Sequence, residues 1–399
     1  MGASRFCVVV LDSLGIGALP DAGLYGDEGS HTLDNTLDAV GGMDLPNLSA
    51  LGLGCIAGVE RVPCPCRGLV GAYGRMAPRS KGKDTITGHW EMMGIILEKP
   101  FRTFPGGFPP EIISRFERRI GRKVLGNVAA SGTEIIARLG EEHLRTGFPI
   151  VYTSADSVFQ VAAHEGAIPV DELYQICAAA REILVGDYLV GRVIARPFVG
   201  KPGSFRRTER RKDFSYPPPE PGVLHALQAG GVQVVGIGKI GDIFAGSGID
   251  QVVKTGSNRE GIEELLGALQ KVEGQALIFI NLVDFDMLYG HRNDPGGYAR
   301  ELAAVDQALP EILARLREGD VLVFTADHGC DPTTPSTDHS REYVPVLVAG
   351  EKVRAGVDLG TMQTLADLGA TVADFFGVTY TGPGASFLSR FFDVRVGNR

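Results

Sequence analysis

Residues 276–286, ALIFINLVDFD, form a nearly continuous apolar run that ends in two carboxylates. Apolar residues stand at both odd and even positions of the run, so both faces of the strand would be apolar. This pattern is typical of a strand buried on both faces of a parallel sheet. Four similar runs occur at residues 7–11, 232–237, 321–325 and 344–348, and Gly, Asp or Asn marks their ends. We therefore predict buried parallel strands at residues 276–283 and at these four runs.

Helix-like stretches lie between the predicted strands, as at residues 259–272 and 298–317. This alternation predicts an α/β fold with a doubly wound core sheet and helices on both faces. The chain has 399 residues, a length that corresponds to two or three domains. A chain of this length can bury a large core, so disordered, collagen-like and small disulfide-rich proteins are excluded.

Proline-rich segments at residues 99–110 and 217–221 bracket a middle part of different character. We predict an inserted α+β cap domain at residues 98–216, between core segments 1–97 and 217–399. The cap has strand candidates of its own at residues 150–154 and 192–197. It holds 18 Lys and Arg against 14 Asp and Glu, whereas the rest of the chain holds 21 against 34. A basic cap in an acidic chain favours a small anionic substrate such as a phosphate ester.

The formal net charge of −9 argues against a nucleic-acid partner. No apolar run reaches the roughly 18 residues of a membrane span, and no signal-peptide pattern opens the sequence, so we predict a cytoplasmic protein without a membrane partner.

Six cysteines are scattered along the chain. The pair Cys64 and Cys66 has no matching second pair, so we assign it no metal or redox role.

Three of the predicted strands run into an aspartate, at Asp12, Asp286 and Asp327. Open α/β sheets bind their ligands at the carboxyl ends of strands, where a half-buried carboxylate needs a partner. A single aspartate there would equally fit a helix N-cap. Histidines accompany two of the three: His291 follows Asp286 by five residues, and His328 directly follows Asp327.

A third histidine, His339, lies eleven residues after His328, which brings the candidate ligands to six. Imidazole with carboxylate suits Zn²⁺ or Mn²⁺ better than Ca²⁺. Six ligands suffice for two divalent ions, and two ions about 4 Å apart can stabilise an in-line displacement at phosphorus. The sequence therefore predicts a two-metal site for phosphoryl chemistry.

The motifs resemble those of the phosphopentomutase family in the alkaline phosphatase superfamily, over essentially the whole chain. The matching segments are residues 11–17 (LDSLGIG), 82–91 (GKDTITGHWE), 152–158 (YTSADSV), 191–198 (GRVIARPF), 236–240 (GIGKI), 281–291 (NLVDFDMLYGH), 325–332 (TADHGCDP) and 337–345 (TDHSREYVP). The Asp and His spacing is common to the superfamily, whereas residues 83–91 and the cap motifs are specific to the mutases. The resemblance implies an alkaline-phosphatase-like core sheet with an inserted cap.

The resemblance also implies roles for individual residues. One metal ion would be held by Asp12, Asp327 and His328, and the other by Asp286, His291 and His339. The expected ions are two Mn²⁺, with Zn²⁺ or another divalent ion as alternatives. Thr85 would be the nucleophile that carries the phosphoryl group, primed by a sugar bisphosphate such as glucose 1,6-bisphosphate.

The implied reaction interconverts α-D-ribose 1-phosphate and D-ribose 5-phosphate, and the 2-deoxyribose esters likewise.

Residues 85–93 are predicted to form the first turns of a helix, with Asp84 or Thr85 near its start. A threonine hydroxyl needs a base or a metal to become a nucleophile. The only histidine near Thr85 in the sequence is His89, so we favour activation by metal.

A bisphosphate intermediate leaves one phosphate away from the metals, and Arg or Lys suits that phosphate. The candidates are Arg192 and Arg207 of the cap and Lys239 after the strand run at 232–237, with Arg206 as an alternative to Arg207. Candidate ligands of the sugar hydroxyls are Ser154 and Asp156.

Two other functions remain open. A two-metal phosphomonoesterase of the same superfamily would release inorganic phosphate, and a phosphoglycerate mutase would use serine where this chain has Thr85. The sequence leaves the oligomeric state, the metal used in the cell and the preference between ribose and deoxyribose undetermined.

Overall fold

The computed structural model describes residues 4–154 and 157–393. The chain divides into two compact units: the first runs to Pro100 and resumes at Pro218, and the second is Phe101–Pro217. Within the described residues, no helix has the length and apolar character needed to cross a bilayer.

The strands, in chain order, are β1 (Arg5–Leu11), β2 (Ala72–Met76), β3 (Leu125–Ala129), β4 (Ile150–Thr153), β5 (Val158–His164), β6 (Arg192–Val199), β7 (Arg206–Arg207), β8 (Lys212–Ser215), β9 (Gln233–Ile237), β10 (Gln251–Val253), β11 (Ala276–Leu282), β12 (Val321–Thr325), β13 (Val344–Ala349) and β14 (Asp358–Met362).

The α-helices are α1 (Thr32–Ala39), α2 (Pro46–Leu51), α3 (Thr85–Met92), α4 (Pro110–Ile120), α5 (Gly132–Thr146), α6 (Val170–Ile183), α7 (Val223–Ala229), α8 (Ile240–Ile243), α9 (Asn258–Lys271), α10 (Pro295–Ala314), α11 (Ala366–Phe376) and α12 (Leu388–Phe391). Short 3₁₀ turns occupy Ala22–Tyr25, Leu53–Cys55, Gly186–Tyr188 and Gly290–Arg292, and Phe285–Tyr289 forms one π-helical turn.

The first unit is built on an eight-stranded sheet in the order β10-β9-β11-β1-β12-β13-β2-β14. Neighbouring strands from β10 to β12 are parallel, and β2 and β14 are parallel to each other. All residues of β1, β11 and β12 are buried, so both faces of the central strands are covered. The five strands predicted from apolar runs are confirmed, with ends that differ by two residues at most.

The predicted direction of β13 is wrong, because this strand is antiparallel to both β12 and β2. An apolar run shows that both faces of a strand are buried, but it carries no information about the direction of its neighbours. Strands β2, β10 and β14 were not predicted from the sequence. They are three to five residues long and have exposed or half-buried positions, so they lack a continuous apolar run.

The second unit has its own sheet in the order β3-β4-β5-β6-β7, and β8 also pairs with β6. The strand pairs β3/β4 and β5/β6 are parallel, whereas β4/β5, β6/β7 and β6/β8 are antiparallel. Two apolar clusters pack against this sheet: one includes Ile112, Phe116 and Ile176 of α4 and α6, and the other Ile135 and Ile136 of α5.

Cys55 and Cys64 form a disulfide in the first unit. The sequence singled out Cys64 with Cys66 as a pair, but Cys66 is a free and exposed thiol. Nine residues separate the bonded cysteines. Their proximity depends on the turn that follows α2, which sequence spacing does not reveal.

Arg5, at the start of β1, is a fully buried cation that pairs with the fully buried Asp320. The Arg5 amide and Nε donate to the two Asp320 carboxylate oxygens at 2.8 and 3.0 Å, and Nη1 donates to the carbonyl of Leu269. These contacts join β1 to the segment before β12 and to α9. Removal of one partner of a buried pair leaves an uncompensated charge, which typically costs 3–5 kcal/mol.

We expect Arg5→Met to lower the free energy of unfolding by about 3 kcal/mol, measured by urea denaturation. The control is Arg259→Met, which removes an exposed pair with Glu263 and should change that free energy by less than about 0.5 kcal/mol. Equal effects of the two substitutions would show that the buried pair does not stabilise the core.

Candidate active site

The candidate site lies at one edge of the first unit's sheet, where β1, β11 and β12 end. These three strands are adjacent and parallel, so their carboxyl ends meet. Asp12 directly follows β1, Asp286 lies in the π-helical turn after β11, and Asp327 comes two residues after β12. All three carboxylates are at most 3% exposed, which places three buried negative charges side by side.

The first group of potential metal ligands consists of Asp12, Asp327 and His328. His328 Nε2 lies 3.2 Å from Asp327 Oδ2 and 3.6 Å from Asp12 Oδ1. The backbone N–H of Ser13 donates to Asp327 Oδ1 at 3.1 Å and fixes the orientation of that carboxylate. Ser13 has a φ of 76°, so the chain turns sharply just after Asp12.

The second group is centred on Asp286. Its two carboxylate oxygens each lie 3.3 Å from a histidine, Oδ2 from His291 Nε2 and Oδ1 from His339 Nε2. The π-helical turn and the following 3₁₀ turn bring Asp286 and His291, five residues apart, onto the same side of the chain. The orientation of the His291 ring is fixed by a hydrogen bond on its other side, because Nδ1 lies 2.7 Å from the carbonyl oxygen of Thr337.

The two groups form one continuous cluster. His328 belongs to both, since it also groups with Asp286 and His339, and the rings of His328 and His339 have centroids 4.0 Å apart. All six residues predicted as metal ligands therefore lie together. Cys330 forms a further potential group with Asp286 and His291, and the sequence analysis missed it. Its position two residues after His328 was the available signal.

Thr85 is the first residue of α3, and Asp84 is the N-cap whose Oδ1 accepts from the Thr87 amide at 3.1 Å. This confirms the predicted start of the helix. Thr85 Oγ1 lies 3.1 Å from His328 Nε2, which places the hydroxyl at the cluster. Gly88 permits this approach, because a Cβ at that position would lie 2.4 Å from the backbone oxygen of Asp327.

The carboxylates of the cluster raise the pKa values of neighbouring groups. Burial disfavours an imidazolium, but the neighbouring Asp286 carboxylate outweighs it and raises the pKa of His291 to about 12. Asp327 acts in the same way on the buried His328 and raises its pKa to about 10. Burial together with the carboxylates of Asp327 and Asp286 raises the pKa of Asp12 to about 7.

Four buried atoms of the cluster lack a hydrogen-bond partner among the described residues: Asp12 Oδ1, Asp286 Oδ1, Asp327 Oδ2 and His339 Nε2. Buried polar atoms are normally paired, so unpartnered oxygens and an imidazole nitrogen that converge on one place fit bound cations. The donor set of carboxylate oxygen and imidazole nitrogen suits Mn²⁺ or Zn²⁺. The residues present therefore fit the predicted metals.

The remaining predicted site residues are divided between the two units. Lys239 lies at the N-cap of α8, just after β9, and its positive charge acts to lower the pKa of Asp12. Ser154, Arg192 and Arg207 are in the second unit, after β4, at the start of β6 and in β7. Asp156 lies outside the described residues.

Two buried side chains at the cluster were not assigned a role from the sequence. His89 was considered only as a base for Thr85, but its Nδ1 lies 2.9 Å from the carbonyl oxygen of Thr85. Asn281 donates to Asp12 Oδ2 at 3.0 Å. The available signal for Asn281 was its position as the one strongly polar residue within the apolar strand ALIFINL.

Comparison with known proteins agrees with this geometry. Residues 4–380 match the model of the metalloenzyme superfamily. Curated phosphopentomutases match at high identity over nearly the whole chain. That of Herpetosiphon aurantiacus is 57% identical over 98% of this chain and 99% of its own length. That of Anaeromyxobacter dehalogenans is 59% identical over 96% of this chain and 98% of its own length.

The chain belongs to the phosphopentomutase family. Among solved structures, the PH0037 protein from Pyrococcus horikoshii has a TM-score of 0.51 at 15% identity and covers 96% of this chain and 100% of its own, which shows a common fold. The predicted alkaline-phosphatase-like α/β fold class and the family predicted from the motifs are both confirmed. Members of the phosphopentomutase family are isomerases, so the chain is an enzyme.

We expect Mn²⁺ to raise the Tm of the protein, because an ion that binds only the folded state stabilises it by about 2.7 kcal/mol at a hundred times its Kd. Asp327→Asn and His339→Ala should reduce this shift and the bound metal measured by mass spectrometry. The control is His225→Ala in the same unit, a histidine that contacts Ser247. A full Mn²⁺ shift in the Asp327 variant would contradict the proposed ligand set.

Proposed function

We propose that the chain interconverts α-D-ribose 1-phosphate and D-ribose 5-phosphate, and the corresponding 2-deoxyribose esters, through a phosphothreonine at Thr85. The observation that carries the proposal is the position of Thr85 Oγ1, 3.1 Å from His328 Nε2 in the cluster of carboxylates and histidines. Identity above 55% to curated phosphopentomutases over nearly full length supports the choice of substrate.

The start of α3 suits a phosphoryl group on Thr85. A helix N-terminus presents backbone N–H groups and the positive end of the helix dipole, both of which favour a phosphate. Asp84 holds the first turn in place through its bond to the Thr87 amide. Thr85 is 9% exposed, which limits the access of water to a phosphoryl group bound there.

The reaction consists of two transfers. The C1 hydroxyl of ribose 5-phosphate attacks the phosphorus of phosphothreonine 85; the sugar O–P bond forms, the Thr85 Oγ1–P bond breaks, and the proton lost by the C1 hydroxyl is balanced by the proton that Thr85 Oγ1 gains. The product is ribose 1,5-bisphosphate with a free Thr85 hydroxyl. After the intermediate reorients, Thr85 Oγ1 attacks the 5-phosphoryl group: the Oγ1–P bond forms, the O5–P bond breaks, and O5 gains a proton in place of the one that Thr85 loses. This leaves ribose 1-phosphate and restores the phosphoenzyme.

Asp12, Asp327 and His328 would hold one divalent ion, and Asp286, His291 and His339 the other, with Mn²⁺ as the proposed metal. When bound, the ions supply charge neutralisation at the transferring phosphoryl group and lower the pKa of the attacking hydroxyl. The protein positions the Thr85 hydroxyl through α3. A sugar bisphosphate such as glucose 1,6-bisphosphate would restore phosphothreonine whenever the enzyme loses its phosphoryl group.

Lys239, Arg192 and Arg207 are proposed to bind the phosphate that is not being transferred, and Ser154 and Asp156 the sugar hydroxyls. Both arginines contact other residues of the second unit. Arg207 lies over Gly132 at the start of α5, where a Cβ would come within 2.5 Å of the buried Tyr152 hydroxyl. Arg192 is held by Asp213 at 3.7 Å.

We expect Thr85→Ala to abolish both phosphoenzyme formation and mutase activity, because it removes the atom that accepts the phosphoryl group. Thr85→Ser should retain activity within about tenfold, since it keeps a hydroxyl on the same carbon. The measurement is ³¹P NMR of ribose 1-phosphate with Mn²⁺ and a trace of glucose 1,6-bisphosphate. The wild-type protein should produce ribose 5-phosphate without accumulation of inorganic phosphate.

Two outcomes would count against the proposal. Full turnover by Thr85→Ala would exclude Thr85 as the nucleophile. Release of inorganic phosphate by the wild-type protein would identify a two-metal phosphomonoesterase instead.

Arg207→Ala should lower kcat/KM for pentose phosphates by about 10- to 100-fold, which corresponds to the loss of a charge-assisted hydrogen bond worth about 1.5–3 kcal/mol. The matched control is Arg206→Ala, its neighbour in the same two-residue strand. Metal content should not change in either variant. A larger effect at Arg206 would reverse the assignment between the two arginines.

A further inference from the structure

His89 and Asn281 are two buried polar side chains that lie between the nucleophile and the metal ligands. His89 is on α3, one helical turn after Thr85, and Asn281 is on β11. They are 0% and 1% exposed, respectively. Neither has a part in the chemistry proposed above, yet each contacts residues that do.

The orientation of the Asn281 amide follows from its contact with Asp12. The amide nitrogen Nδ2 lies 3.0 Å from Asp12 Oδ2. A carboxylate only accepts hydrogen bonds, so the amide must present its nitrogen and not its oxygen to Asp12. Nδ2 carries two hydrogens, of which this contact uses one.

The second hydrogen of Asn281 determines the tautomer of His89. Nδ2 also lies 3.2 Å from His89 Nε2. Because the amide nitrogen is a donor, Nε2 must be the acceptor and carries no proton, which leaves the imidazole proton on Nδ1. The ring is also packed against Phe279, with centroids 5.7 Å apart, so its orientation is restricted.

The proton on His89 Nδ1 points towards the backbone carbonyl of Thr85, one turn earlier in α3. Nδ1 lies 2.9 Å from the Thr85 carbonyl oxygen and 3.2 Å from Asp327 Oδ2. His89 therefore contacts the backbone of Thr85 and not its hydroxyl, which excludes it as a base for Oγ1 in this geometry. A continuous path runs from Asp12 through Asn281 and His89 to Thr85.

We propose that His89 and Asn281 are a positioning pair that fixes Thr85 relative to Asp12 and Asp327. The inference rests on the proposed function, in which Thr85 is the nucleophile and both aspartates are metal ligands. The five residues lie on α3 and on the central strands with their ends. The hydrogen bonds between these elements set the distance from Thr85 Oγ1 to the metal ligands, where a displacement of 1 Å can cost about 100-fold in rate.

The second unit contains a matched control histidine. His143 is also fully buried, its Nδ1 lies 2.7 Å from the Phe148 carbonyl oxygen, and its Nε2 accepts from the His164 amide at 2.8 Å. The hydrogen-bonding pattern equals that of His89, but no candidate metal ligand or nucleophile is among these partners. Substitution of His143 therefore measures the structural cost alone.

Two variants of His89 test the roles of its two ring nitrogens separately. Asn places its amide nitrogen near the position of Nδ1, so His89→Asn keeps the donor to the Thr85 carbonyl; Gln reaches the position of Nε2, so His89→Gln loses it. His89→Asn loses the acceptor for Asn281, and His89→Gln loses the donor to Thr85. Because each variant breaks one link of the path, we expect both to phosphorylate Thr85 about 100-fold more slowly than the wild-type protein. The rate is measured by intact-protein mass spectrometry with glucose 1,6-bisphosphate and Mn²⁺.

The control His143→Gln should lower the Tm and leave the phosphorylation rate within twofold of wild type. Wild-type phosphorylation speed in His89→Gln would overturn the positioning role and leave the proposed function intact. Phosphorylation of the Thr85→Ala variant would instead refute the proposed function.

A second measurement uses the unaltered protein and does not depend on the folding of any variant. In ¹⁵N NMR of the wild-type protein loaded with diamagnetic Zn²⁺, His89 should carry its proton on Nδ1. A proton on Nε2 would overturn the inference. Asn281→Leu keeps a similar volume without the amide; because the Thr85 carbonyl still accepts from Nδ1, this variant should keep the Nδ1 tautomer and lose only the link to Asp12.

Discussion

The close approach of three buried carboxylates is the constraint on which the rest of the structure depends. Asp12, Asp286 and Asp327 lie at the ends of adjacent strands. Burial and the other two carboxylates raise the pKa of Asp12, whereas the neighbouring histidines outweigh burial and lower the pKa values of Asp286 and Asp327. Such an arrangement is stable only when cations compensate it. The surrounding histidines and the unpartnered carboxylate oxygens form groups that could hold such cations.

Close packing at the same edge of the sheet explains the position of Thr85, the proposed nucleophile. Helix α3 packs so closely on the end of β12 that only glycine fits at position 88, and this brings Thr85 to His328. The N-cap at Asp84 and the inferred pair of His89 and Asn281 hold the first turn. The position of the Thr85 hydroxyl thus depends on backbone packing and on buried hydrogen bonds.

The second unit supplies the positive charge that the core lacks. Its arginines cluster around β6 and β7, and burial next to Arg211 lowers the pKa of Arg196 to about 10. Asp213 offsets part of this charge, because Arg211 donates to both of its carboxylate oxygens at 2.7 Å. The unit therefore carries a cluster of positive charge, which supports the proposal that its arginines bind a phosphate ester.

The sequence alone determined the central strands, the six candidate metal ligands and the family, because apolar runs and the residues that end them are local features. Tertiary structure alone decided the antiparallel direction of β13, the bond between Cys55 and Cys64, and the contacts of His89 and Asn281. These depend on which segments become neighbours in space: Asn281 is 192 residues from His89 and 269 from Asp12. Spacing along the chain carries no information about such contacts, since packing of the whole sheet creates them.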